Sequence, residues 1–423
     1  MPYPPRKQPL ILLKKFLFYP VYALLFLVTA CSGDPPAETS EARISEHVEF
    51  LADSEMEGRL AGSIYEAEAS NYIADHFLQY GVEPAGEGDT YLQTFTLSGP
   101  MVEAMDAEGR ISRNVIGRVT GNEYPDRFVV IGAHYDGQGS GGVISMNHSG
   151  PEAVHPSADD NASGSAALME LARRFAENPA ETSVLLIAFS GEELGLLGSR
   201  YFVDRSEIEP DSMLAMVNID MIGKLEQNGE LLIFGTGSSP AWEGLIEDPQ
   251  AFEVSMPAGG LDASDHGPFY DEGIPVLHYH TGTHQAYHRP EDIAADVDMN
   301  GIGSIVDHVE QTVRSVAMLS PEEMEFTSTG ERGRVQMRRD GVLLGVIPDY
   351  TWSGRGFRVD EVVEGEPADG AGMEDGDVIV VMKGVQVTDI YDYMRALNRV
   401  EEGETVELQI LWDGELIRLD VQF

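Results

Sequence analysis

SVLLIAFSGEELGLLGS, residues 183–199, decides how this chain folds. The run Val184–Phe189 is apolar without interruption, so no side of it suits water, and it predicts a strand buried on both faces. It then meets Ser190, Gly191 and two adjacent glutamates, Glu192 and Glu193. Neighbours on a continuous strand point to opposite faces. Two charges side by side therefore belong at a strand's end, where the glycines of SGEELG let the chain turn and two carboxylates can approach one locus from different angles.

The pattern recurs along the chain. RFVVIGAHYDG (127–137) ends at His134 and Asp136, LAMVNIDMIG (214–223) at Asp220, and GIPVLHYHTG (273–282) leads to a loop holding His284 and His288. Between the first two apolar runs, DDNASGSAALMELARRFAEN (159–178) places Leu168, Leu171 and Phe175 at helical spacing, with a cap near Asn161 or Ser163. Upstream, ISEHVEFLADS (44–54) and YEAEASNYIADHFLQYG (65–81) read as helices. Strands alternating with helices predict an α/β domain over 41–319: an open, mostly parallel (mixed) sheet flanked by helices. Ligands of such sheets bind beyond the carboxyl ends of the strands, where these polar residues fall.

The first 30 residues hold four basic and no acidic residues, with an apolar run from Val21 to Val28 too short for a permanent span, which is the layout of an export signal. LVTAC (27–31) resembles the bacterial lipobox and implies a lipid on Cys31, an anchor in the membrane of the cell envelope. Cys31 is the only cysteine, so no disulfide forms within the chain. SGDPPAETSEA follows as a tether over 31–40. The formal charge is −45, and loss of the first 30 residues takes it to −49, which excludes nucleic acid as a partner. Most of that charge is a solvated surface, because 72 carboxylates cannot line one site. SPEEMEFTSTGERGR (320–334) reads as a linker, and 335–423, rich in Val/Ile strands and glycine turns, as a small mostly-β domain with one helix, DIYDYMRALNRV (389–400).

His134, Asp160, Glu193, Asp220 and His288 form a set of nitrogen and oxygen donors without thiolate, which suits zinc, with manganese or cobalt as alternatives. Five donors exceed one tetrahedral zinc that keeps a water; they suit two ions with a carboxylate between them. Glu192 then remains as a base.

Three motifs, GAHYDG (132–137), SADDNASG (157–164) and FSGEELGLLGS (189–199), make the chain resemble the co-catalytic di-zinc exopeptidases, which include bacterial secreted aminopeptidases and glutamate carboxypeptidase. HVEFLADSEMEGRLAGS, YIADHFLQYGVEP, NIDMIG, SDHGPF and YHRPEDI support the match. The resemblance implies that His134 and Asp220 hold one metal, Glu193 and His288 the other, and that Asp160 bridges them. It implies that Asp136 hydrogen-bonds the free nitrogen of His134 and that Glu192 is the general base. Ser157 stands where the family often has glycine, and His284 competes with His288, which is favoured because YHRPEDI matches the family's closing segment. The implied activity is release of amino-terminal residues from peptides. Alternatives on the same fold are a glutaminyl cyclase-like single-zinc acyltransferase, a carboxypeptidase or dipeptidase, and an inactive scaffold.

GRGFRVDEVVEGEPADGAGMEDGDVIVVMKGVQV (354–387) resembles a PDZ domain of the bacterial protease type, which implies a groove for peptide or protein C-termini. The resemblance places the carboxylate-binding loop at GRGF, with LLGVIPDY (343–350) as an alternative contributor.

Overall fold

The computed structural model describes residues 39–147, 151, 153–246, 249, 251–260, 264–328, 342, 344–348, 356–362, 365–387, 393, 396–397, 399–400, 403–412 and 415–423. The expected export signal, Cys31 and the tether up to residue 38 lie outside the described residues. So do the end of the expected linker, the start of the second domain and most of the helix expected over 389–400.

Thr39 and Ser40, expected in the tether, open the first helix instead: the Thr39 hydroxyl accepts from Ala42 N, capping Ser40–Leu51. Ile44, Val48 and Leu51 form its buried stripe. Ser63 caps Ile64–Tyr80 in the same way, and Gly81 ends it in the left-handed conformation.

The first sheet contains β1 (Glu83–Pro84), β2 (Leu92–Thr96), β3 (Ile111–Val119), β4 (Tyr124–His134), β5 (Thr182–Phe189), β6 (Met213–Ile219), β7 (Glu230–Phe234), β8 (Glu253–Ser255) and β9 (Val276–His280). Its order is β1-β3-β5-β4-β6-β9-β7-β8, with β2 paired to β3. The centre, β5-β4-β6-β9, is parallel, and the antiparallel pairs β3/β5 and β7/β9 flank it. The apolar runs are continuous because both faces are covered. On one face Val129, Ile131, Val184 and Leu186 pack with the helices Ser40–Leu51, Gly164–Glu177 and Met299–Ala317. On the other, Val130, Leu185, Ile187 and Phe189 pack with Phe202 and Phe269. Truncating a core side chain such as Leu186 to alanine costs about 2–5 kcal/mol.

The second sheet is antiparallel: β10 (Val346–Pro348), β11 (Phe357–Val362), β12 (Val378–Met382), β13 (Val385–Gln386), β14 (Thr405–Trp412) and β15 (Glu415–Gln422). Its order is β10-β11-β12-β14-β15, with β13 on β12, around its own core of Leu344, Phe357, Ile379, Leu408 and Ile410. Of the expected carboxylate-binding loop GRGF, Gly354 and Arg355 lie outside the described residues. Its Gly356 and Phe357 lead into β11, which pairs with β12 at Phe357 and Arg358 and with β10 at Val359, Glu361 and Val362, and Phe357 is buried against Tyr393 with ring centroids 4.0 Å apart. Among the described residues the edges of this sheet are β15 and β10, the latter directly after Leu344 and Gly345 in the LLGVIPDY stretch. Gly345 has φ +77°, and a Cβ there would lie 2.0 Å from the Glu366 Cβ, so only glycine fits this turn.

Candidate metal centre

The five expected donors come from five segments that meet where the parallel strands end. His134 closes β4 and pairs in register with Phe189 at the end of β5. Beyond Phe189, Gly191 takes φ +75° and turns the chain, so that Glu192 and Glu193 leave the strand direction. Asp220 follows β6, Asp160 sits in a non-helical turn before the helix Gly164–Glu177, and His288 lies in the loop after β9.

The donor atoms fall into two triads that share one residue. His134 Nε2 is 3.2 Å from Asp160 Oδ1 and 3.3 Å from Asp220 Oδ1. His288 Nε2 is 3.2 Å from Asp160 Oδ2 and 3.4 Å from Glu193 Oε2. Within each triad all donor atoms lie within 4.8 Å of one another. Tetrahedral zinc with ligands at about 2.0–2.1 Å sets those ligands about 3.3 Å apart, so the closest spacings fit. Asp220 Oδ1 is buried without a hydrogen-bond partner, an unsatisfied acceptor of the kind that suits a metal ligand.

The electrostatics also call for positive charge. Burial opposes protonation of His134, but Asp220 and Glu192 outweigh it and hold the imidazole well above its ordinary value. Burial likewise lowers His288, and Glu193 and Asp160 bring it up to about 9. For Asp160, burial pushes upward and the two imidazoles more than reverse it, leaving the carboxyl far below the usual range. Glu193 is raised to about 7 by burial, and burial raises Glu192 well above a usual glutamate. Glu192 belongs to neither triad, yet it lies within the field of His134 and Asp220.

Asp136 is placed differently from expectation. His134 Nδ1 lies 3.3 Å from the main-chain carbonyl of Asp136, whereas the carboxylate Oδ1 is 3.7 Å away, beyond hydrogen-bond length. That oxygen instead accepts from Glu192 N at 3.2 Å, so Asp136 links the His134 strand end to the glutamate turn. His284 does not join either triad: its Nε2 lies 3.1 Å from Asp159 Oδ2. His155, His266, His278 and His280 also contact other groups, with His155 on Ser145 and His280 accepting from Gly282 N.

Several supporting residues escaped the sequence reading. Gln138 Nε2 donates to Glu193 Oε1 at 3.1 Å, and Ser264 Oγ donates to Asp220 Oδ2 at 2.8 Å. Ile144 O accepts from His288 Nδ1 at 2.9 Å, fixing which nitrogen faces Asp160. Asp292 receives the main-chain N–H groups of Asp159 and Asp160. Only Ser264 and Asp292, lying in SDHGPF and YHRPEDI, carried any signal beforehand.

An open α/β sheet with a paired imidazole–carboxylate cluster beyond its central strand ends defines a metal-binding protein of the doubly wound class. More particularly, residues 114–313 match the model of Peptidase family M28 and residues 334–423 that of the PDZ domain; the chain carries an M28 peptidase domain followed by a PDZ domain. Aminopeptidase YwaD of Bacillus subtilis is 33% identical over 196 residues, 43% of this chain and 39% of that protein. A probable zinc metalloprotease of Leptosphaeria maculans is 29% identical over 313 residues, 65% of this chain and 70% of that protein. The chain thus spans about two fifths of the Bacillus relative. The fold matches that of BSAP, a zinc aminopeptidase from Bacillus subtilis, with TM-score 0.54 and 18% identity, covering 67% of this chain and 97% of that one. It also matches a Bacteroides thetaiotaomicron glutaminyl cyclase, with TM-score 0.51 and 18% identity, covering 66% and 98%.

Proposed function

We propose that this protein is a zinc-dependent aminopeptidase that releases residues from the amino end of peptides. The observation that carries the reading is the division of Asp160, one oxygen facing His134 and the other His288, which would let it serve both donor triads. His134 and Asp220 would hold one zinc and Glu193 and His288 the other. Bound zinc supplies Lewis acidity toward the peptide carbonyl and lowers the pKa of a coordinated water. The Glu192 carboxylate takes a proton from the attacking water and passes it to the leaving amine. Its main-chain N–H is held by Asp136, which keeps the base in place as the proton moves. The surrounding carboxylates favour a cationic α-amino group over a substrate carboxylate, which supports attack from the amino end.

Turnover of aminoacyl-arylamides by the zinc-loaded protein, set against N-acetylated counterparts, tests this. A requirement for the free amine is expected; equal cleavage of N-acetylated peptides would sink the reading. The cyclase alternative needs one zinc per chain and cyclisation of amino-terminal glutamine. The two triads, each with its own imidazole, favour the peptidase.

Two further elements belong to the proposal. Export with a lipid anchor at Cys31 rests on the sequence of the first 31 residues. Capture of peptide C-termini by strand addition at β10 rests on its position at the sheet edge.

A further inference from the structure

Beneath the centre lies a fully buried arginine, Arg59, upstream of the part of the chain that matches the M28 model. Its guanidinium donates to the main-chain carbonyls of Tyr135 (2.9 Å), Pro156 (2.9 Å), Ser157 (3.0 Å) and Leu51. Tyr135 stands between His134 and Asp136, and Ser157 immediately precedes Ala158, Asp159 and Asp160. The main chain of the same segment grips the same loops: Gly137 N donates to Arg59 O at 3.3 Å and Gly139 N to Gly58 O at 2.9 Å.

An arginine this deep normally faces a carboxylate, yet all four of these bonds go to neutral carbonyls. Burial pulls the guanidinium down to about 10 against the opposing field of Asp136, Asp292, Asp160 and Glu193, so it stays charged at neutral pH. Its charge therefore acts on the donor cluster through space, while its planar fork fixes where two of the donor-bearing loops begin.

We propose that Arg59 is a positioning residue of the metal centre, holding the loops of His134 and Asp160 in register and offsetting the carboxylate charge that the donors accumulate. The inference rests on the two-zinc reading. Lysine keeps the charge but presents its donors from a single nitrogen, so it cannot reproduce a grip on carbonyls from three segments. Methionine keeps the length and loses both.

The test measures zinc affinity by chelator competition in the full chain for wild type, Arg59→Lys and Arg59→Met, with melting temperature recorded for each with and without zinc. Zinc affinity is expected to fall at least about tenfold in Arg59→Lys, which keeps the charge and loses the grip, and to stay below wild type in Arg59→Met, so that zinc raises the melting temperature less in each variant than in wild type. A purely structural arginine would lower the melting temperature equally with and without zinc. Wild-type zinc affinity in both folded variants overturns the proposal, and if Arg59→Met does not fold, Arg59→Lys decides alone. Failure of the wild-type chain itself to take zinc would overturn the two-zinc reading instead.

Discussion

The two sheets of this protein place their chemistry in opposite ways. In the first, β4, β5, β6 and β9 are covered on both faces and the functional groups are side chains projecting past the strand ends. In the second, the proposed binding feature is the main chain of β10, at the side of a sheet. Side-chain donors must be particular residues, so they leave particular letters in the sequence. An edge of N–H and C=O groups can be built from almost any residues, so its position emerges only from strand order.

The contrast can be broken most severely at Asp160. Asp160→Ala removes a donor from both triads, and loss of bound zinc with turnover falling to background is expected; zinc content after dialysis and arylamide assays report it. Retention of two zinc ions would dissolve the shared-carboxylate reading. Glu192→Gln comes next: zinc content is unchanged and kcat drops by about 10²–10⁴-fold. Loss of zinc there would show that Glu192 and Glu193 have exchanged roles. On the other sheet, Val346→Pro removes an N–H from β10 and is expected to weaken binding of a hydrophobic C-terminal peptide by roughly tenfold, about 1.4 kcal/mol, with arylamide turnover unaffected. Peptide addition should slow hydrogen exchange at Val346 and Ile347 and add no protection over Glu415–Gln422; the reverse pattern would move the site to the other edge.

A last effect concerns acid. All 11 histidines precede residue 309, so the second sheet has none. His47 is buried between the Tyr72 and Tyr80 hydroxyls, and burial lowers it from 6.5 to about 3. The unfolded chain then binds a proton that the folded chain refuses, so this contribution to stability is intact above pH 6.5 and declines as pH falls toward 3. Denaturant midpoints at pH 7 and pH 4.5 should differ less in His47→Gln than in wild type; an unchanged difference would remove His47 from the account.

Both sheets were legible as classes, because uninterrupted apolar runs and glycine-punctuated Val/Ile strands carry their burial in their composition. The meeting of His134, Asp160, Glu193, Asp220 and His288 was legible because each follows such a run or opens a helix. What stayed hidden was held by contacts without period. Arg59 and Gln138 reach partners that only the fold brings near: Arg59 lies in HVEFLADSEMEGRLAGS, which supports the family match without showing what its side chain holds, and Gln138 lies just past GAHYDG. The carboxylate of Asp136 was expected on His134, but the main-chain carbonyl two residues along already occupies that position.

The spacing of the donors has a consequence for how the molecule matures. The first, His134, and the last, His288, are 154 residues apart, and no two of the five are close neighbours in the chain. Drawing such distant groups together costs loop entropy that only a completed sheet repays. A nascent or partly folded chain thus offers an ion no more than scattered single ligands, while the finished protein offers two compact sites. On the proposed two-zinc reading, ion capture would accordingly be a late event, and a chain that had taken up its metal would already have passed its own inspection for correct folding.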